Sequence, residues 1–146
     1  MKTKPDYWYK QSAIIPYRLN NEEIEILLIT SRKKKHWIIP KGIVEKDLCP
    51  FESAKKEALE EAGISGKGNK KIIGKYKYKK WGSKCSVEVY SMEVETVYKD
   101  WLENFRERKW IKSNEIIRYI DNKKLMKIIN IFFKLHQNFN KNNTNK

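Results

Sequence analysis

At 146 residues, with 40% hydrophobic, 12% aromatic and 34% charged side chains, the chain fits one domain. Such a domain buries about two thirds of its unfolded surface, which excludes a disordered chain and removes any need for disulfide staples. The formal net charge of +14 favours a phosphate-rich partner, although the excess is mostly Lys, with Arg only at Arg18, Arg32, Arg106, Arg108 and Arg118, and the abundance of Asn and Ile fits a biased nucleotide composition equally well. The basic opening "MKTKPDYWYK" lacks the apolar stretch of a secretory signal, and runs such as "EILLI" and "IINIFF" are too short to span a bilayer, so a cytoplasmic protein with no membrane partner is expected. Cys49 and Cys85 have no metal-ligand spacing and are read as free thiols.

In chain order, Ser12 to Tyr17 and Glu23 to Thr30 read as strands of a hairpin around the polar turn "RLNN". "WIIPKG" is a short strand stopped by Pro40. After the loop "IVEKDLC", Pro50 suits a first helical position, Ala54, Ala58, Leu59 and Ala62 carry helix propensity, and Gly63 suits the residue past the end, predicting a helix over Phe51 to Ala62. "GISGKG" reads as a turn, and "KIIGKYKYKK" and "KCSVEVYSMEV" alternate as a second hairpin about "WGS". "RKWI" is a further strand, "SNEIIRYI" a Ser-capped helix, and "NKKLMKIINIFFKLHQNF" an amphipathic helix. The domain is expected over residues 1–138, with a polar tail, 139–146, that frays. This order argues for a mixed sheet with helices on its faces, an α+β fold.

The helix raises a chemical question. Glu57, Glu60 and Glu61 crowd one sector of an otherwise basic chain, and like charges three or four positions apart repel. A hard divalent cation, Mg²⁺ or Mn²⁺, compensates such a cluster. Most Glu-rich helix faces are simply solvated, and the helix by itself does not choose between the two.

The stretch from Gly42 to Ile64 resembles the signature of the Nudix hydrolases, G-x5-E-x7-R-E-U-x-E-E-x-G-U, in register and without a gap. Gly42, Glu57, Glu60, Glu61, Gly63 and Ile64 match it; Leu48 stands where the first Glu belongs, Lys56 replaces the Arg, and Ala58 is small for an apolar position. Glu45 or Glu52 can substitute for the missing Glu. The resemblance implies an α/β/α sandwich with a mixed curved sheet, the signature forming a loop-helix-loop, and covers nearly the whole chain. "WLENFRERKWIKSNEIIRYI" is similar to the branch containing diphosphoinositol polyphosphate phosphohydrolases and diadenosine polyphosphate hydrolases.

What the resemblance implies is hydrolysis of a diphosphate linkage. Glu57, Glu61, Glu60 and the Gly42 carbonyl would hold Mg²⁺ or Mn²⁺, and Glu60 or Glu103, with Glu107 behind them, would supply the general base. Lys41, Arg32, Lys33, Lys34 and Lys35 lie beside the signature and are candidates for polyphosphate contact, or else a solvated loop. The expected partner is an anionic small molecule, a dinucleoside polyphosphate or a diphosphoinositol polyphosphate. Alternatives are an RNA 5′-pyrophosphohydrolase and a catalytically silent nucleic-acid-binding module, the latter motivated by Leu48, Lys56 and the net charge. His36 and His136 are too isolated for a catalytic pair. Trp37, Trp81, Trp101 and Trp110 are expected to pack, Phe132, Phe133 and Leu135 to cover the sheet, and Tyr76, Tyr78 and Trp81 either to alternate in a strand or to form a platform for bases.

Overall fold

The computed structural model describes residues 1–144, with side chains described through Gln137. Its strands are β1 (Lys10–Asn20), β2 (Glu23–Thr30), β3 (Trp37–Ile38), β4 (Lys41–Ile43), β5 (Ile64–Lys80), β6 (Ser83–Val97) and β7 (Arg108–Lys112). The helices are α1 (Pro50–Glu57), continued by a π-helical turn over Ala58–Ala62, and α2 (Lys123–Thr144). Helical backbone therefore continues into the polar stretch expected to fray; Asn145 and Lys146 lie outside the described residues.

One mixed sheet runs β3-β2-β1-β6-β5, with β4 pairing β1 and β7 pairing β2. Among the described residues only β1 and β6 pair in parallel. The first hairpin closes through Asn21 and Glu22, both at positive φ, which matches the twist that two-residue hairpin turns require. Alternation along β1 sends Ala13 and Ile15 to one face and Ile14 to the other. The first face is covered by Leu125, Met126, Ile128, Ile129 and Phe132 of α2, the second by Phe51, Ala54, Ala58 and Ala62 of the signature helix, giving an α+β sandwich.

Several expectations require correction. "GISGKG" is the start of β5 rather than a turn. A Cβ at Gly66 would collide with the Glu93 carbonyl and one at Gly68 with the Phe51 ring, so those glycines permit close approach within the ladder. "SNEIIRYI" forms only a 3-10 turn over Ile116–Arg118, and Ser113 caps nothing: its N–H donates to the Ile24 carbonyl, while Asn122 Oδ1 accepts from the Lys124 and Leu125 N–H groups at the start of α2. The signature helix is α-helical only to Glu57. Phe132 is buried and Phe133 half-buried as expected, but Leu135 is 53% exposed, because it falls on the solvent side of α2. No helix is long and apolar enough to cross a membrane among the described residues.

Candidate active site

Strand pairing decides which way the signature residues face. In β4, Lys41 is opposite Ala13 and Gly42 opposite Ser12, so the side chain of Lys41 belongs to the α2 face and Gly42 to the α1 face. There Gly42 lies directly against Glu57, where any Cβ would overlap the carboxyl group. Glu57 and Glu61 hydrogen-bond each other, and the Lys41 N–H donates to Glu61 Oε1 at 3.3 Å. Glu61 is only 7% exposed. Burial, and then the hydrogen bond and charge of Glu57, push the Glu61 carboxyl up to about 9; burial also raises Glu57. Two carboxyl groups crowded at the strand glycine and the Lys41 N–H are a donor set that fits a divalent metal, and Glu57 with Glu61 would hold it.

The third signature carboxylate, Glu60, also bears on Glu57 through its charge. Glu60 lies 3.8 Å from Lys56 Nζ, which also donates to both oxygens of Glu45 at 2.8 and 3.0 Å. Glu45 is near enough for its charge to raise Glu57, whereas Glu52 exerts no such effect. Among the described residues, no group of three or more His, Cys, Asp or Glu side chains converges on one point. Lys56 thus keeps a carboxylate-orienting role without the planar fork of Arg.

Glu103 reaches this cluster from the segment between β6 and β7. Its charge bears on Glu57, its N–H donates to the Glu60 carbonyl at 3.0 Å, and its Oε1 accepts from Arg106 Nε at 3.2 Å and Nη2 at 2.9 Å. Glu107 is exposed, with its N–H on Thr30 Oγ1 at 3.0 Å. Of the basic loop, Arg32 lies 3.8 Å from Glu103, and Lys33, Lys34 and Lys35 are exposed and line none of the recesses described below.

Two recesses flank β4. On the α2 face a cavity of about 280 Å³ is lined by His36, Trp37, Lys41, Tyr76, Tyr78 and Leu125 among others. Lys41 Nζ donates there to Gln11 Oε1 and Tyr78 Oη, each at 2.8 Å, and burial lowers its pKa to about 8. On the α1 face a groove of about 940 Å³ is lined by Tyr7, Trp8, Ile43, Leu48 and Glu57, with Glu45, Lys46 and Asp47 at its rim. Tyr76 is buried and Tyr78 half-buried against the α2 core, so they do not form an exposed platform with Trp81, which packs on Trp8 and Tyr9. His136 packs between Phe132 and Tyr17, and His36 lies 3.5 Å from Asp121 at the cavity edge. Trp37 packs on Tyr119, and Trp110 on the α1 core and Arg18. Sequence reasoning missed Gln11, Arg106 and the inward turn of Tyr78; the alternation of Tyr76 and Tyr78 was the only local sign of the last.

A mixed sheet between two helices, with a glutamate pair delivered by a loop-helix-loop against a strand glycine, defines an α+β sandwich with an acidic site at the signature helix. The NUDIX domain model matches residues 8–130, and the chain belongs to the Nudix hydrolase family. It is 34% identical over 128 residues to Nudix hydrolase 21, chloroplastic, of Arabidopsis thaliana, covering 81% of this chain and 63% of that protein. It is 29% identical over 119 residues to diphosphoinositol polyphosphate phosphohydrolase 3-beta of Bos taurus, covering 80% of this chain and 71% of the relative. Its fold is similar to that of the crystal structure of C. elegans Ap4A hydrolase, with a TM-score of 0.74 and 22% identity over 87% of this chain and 97% of that one.

Proposed function

We propose that this protein hydrolyses a diphosphate linkage in a nucleoside polyphosphate, with Glu57 and Glu61 holding a divalent cation. The observation that carries the reading is the position of the Glu57–Glu61 pair at Gly42, between two recesses with aromatic walls. A cavity walled by aromatic and aliphatic side chains, with Lys41, His36, Asp121 and Asn122 as its polar lining, suits a nucleobase joined to phosphate. A highly charged inositol phosphate calls for a ring of cations, which that cavity lacks, so the nucleotide reading is favoured over the one the bovine relative's name suggests. A silent nucleic-acid module is disfavoured, because a buried acidic pair works against phosphate unless a cation offsets it.

Mg²⁺ or Mn²⁺, when bound, supplies charge neutralisation of the diphosphate and acidifies water. Glu103 is the proposed base: its carboxylate takes the water proton as the water oxygen bonds to phosphorus and the anhydride P–O bond breaks, the departing phosphate keeping the electron pair. Lys41, anchored by Gln11 and Tyr78, contributes positive charge to the cavity lining. Leu48 places an apolar side chain in the groove that Glu57 also lines.

The test is a substrate panel of diadenosine polyphosphates, nucleoside triphosphates, nucleotide sugars, diphosphoinositol phosphates and 5′-triphosphate RNA, with Mg²⁺ or Mn²⁺. Fastest turnover of a nucleoside polyphosphate, lost in chelator, is expected. A silent protein that binds RNA equally well in chelator overturns the reading.

A further inference from the structure

The π-helical turn over Ala58–Ala62 ends in carbonyl groups that no later helical turn can satisfy. Each of the last three accepts from the segment between β6 and β7 or from the first residue of β7. The Glu103 N–H donates to the Glu60 carbonyl, Trp101 Nε1 to that of Glu61 and Arg108 Nη1 to that of Ala62, all at 3.0 Å. The Tyr98 N–H adds a bond to the Gly63 carbonyl at 2.8 Å, and the Arg108 guanidinium lies 3.7 Å from the Trp101 ring centre. Gly63, at φ +64°, leaves the space that Trp101 fills. The segment is thus clamped to the same turn that carries Glu61.

Arg106 completes the clamp from the opposite side. It is 6% exposed, and its Nη1 donates to the Thr30 carbonyl at 2.9 Å, which ties it to the end of β2. The Thr30 N–H donates in turn to the Glu107 carbonyl at 3.1 Å. With its head so fixed, Arg106 directs two donors, Nε and Nη2, at a single oxygen of Glu103. Among the described residues, none hydrogen-bonds to Glu103 Oε2. Arg32 adds only a 3.8 Å contact from an exposed side chain, and such contacts contribute little.

We infer that Arg106 is a positioning residue for the reaction: it holds Oε1 of Glu103 so that Oε2 stands toward the Glu57–Glu61 pair. A buried guanidinium fork fixes a carboxylate in orientation as well as in charge, which a flexible ammonium does not. It also offsets the repulsion of a carboxylate brought close to Glu57 and Glu60. The inference rests on the proposed role of Glu103, so its test has an arm that needs no turnover.

In that arm, hydrogen exchange is followed at the Glu103 amide. Arg106→Ala is expected to accelerate it, whereas an unchanged rate overturns the clamp. In the kinetic arm, Arg106→Ala lowers kcat by roughly tenfold to a hundredfold with KM nearly unchanged, as displacement of a reacting group does, and Arg106→Lys recovers part of the loss. On a Glu103→Gln background, Arg106→Ala adds no more than about a twofold loss, because both changes remove one function. An equal loss on both backgrounds assigns Arg106 to folding alone and overturns the inference. Should Arg106→Ala not fold, Arg106→Lys carries the same cycle and the same exchange measurement. A wild type without hydrolysis but with accelerated exchange in the variant defeats the proposed reaction and leaves the clamp standing.

Discussion

The two faces of the sheet are packed on different scales. On one face, after Phe51 at its start, α1 and its π-helical turn contribute Ala54, Ala58 and Ala62, four residues apart, against Ile14, Leu27, Ile29 and Met92. Under α2 the contacts are Leu125, Ile128, Ile129 and Phe132 against Ala13, Ile15, Val87 and Val89. Alanines have no rotamers to adjust, so they set the helix near the strands at one distance, and on the adjoining row Glu57 reaches Gly42 and Glu61 the Lys41 N–H. Large side chains on the other face bury more apolar area, and Leu125 at the head of α2 lines the cavity. One face is built for placement of charge and the other for stability and a recess.

The strongest way to break the contrast is to remove the charge that the alanine face delivers. Glu57→Gln and Glu61→Gln are each expected to cut turnover by roughly two to four orders of magnitude, with thermal unfolding little changed. Steady-state rates at saturating Mg²⁺ check this, and near-normal turnover in either variant removes the pair from the metal site. The pair also makes a pH prediction. The folded carboxyl of Glu61 titrates at about 9 against an ordinary value of 4.5, so the metal-free folded state holds a proton that the unfolded state has lost. Stability should therefore fall as pH rises from 4.5 toward about 9, and saturating Mg²⁺ should reverse the fall. Unfolding temperatures measured across that range, with chelator and with metal, decide it, and a flat chelator curve contradicts the buried pair.

On the α2 face, Phe132→Ala should cost about 3–5 kcal/mol of stability by chemical denaturation, while the folded fraction keeps near-normal kcat. Ala58→Leu should cost less stability, about 1–3 kcal/mol, yet lower kcat more, because the added methyl groups lift the signature helix from β1. Equal effects on activity from the two changes would erase the distinction between the faces. The smallest effect is expected at Leu48→Glu, within roughly tenfold in turnover, equivalent to about 1.4 kcal/mol in the barrier. Leu48 borders the groove, and Glu45 already stands near Glu57 with its own partner, Lys56, so a restored carboxylate adds little.

Much of this was legible along the chain because local chemistry controls it. Alternation in "KYKYKK" and "CSVEVYSMEV" marks strands wherever they pair, and Pro50 and Gly63 bound a helix through backbone constraints of their own. The signature placed Glu57, Glu61 and Gly42 near one another because its spacing is a loop and a helix of set length. "GISGKG" misled because glycines that admit a neighbouring carbonyl or ring look the same in sequence as glycines that turn a chain. Ser113 misled because a cap needs a helix after it, and the pairing of β7 with β2 spends its N–H on Ile24.

By itself, the sequence determined most of the strands, the signature helix and the long C-terminal helix, and the spacing of the acidic pair from its glycine, since each depends on residues close along the chain. Only the tertiary structure decided that Lys41 turns to Gln11 and Tyr78, and that Arg106, tied to the Thr30 carbonyl, belongs to a segment whose Glu103 bears on Glu57. Those choices depend on which strands meet and on which face each side chain falls. A register set by cross-strand partners tens of residues away cannot be read from local spacing.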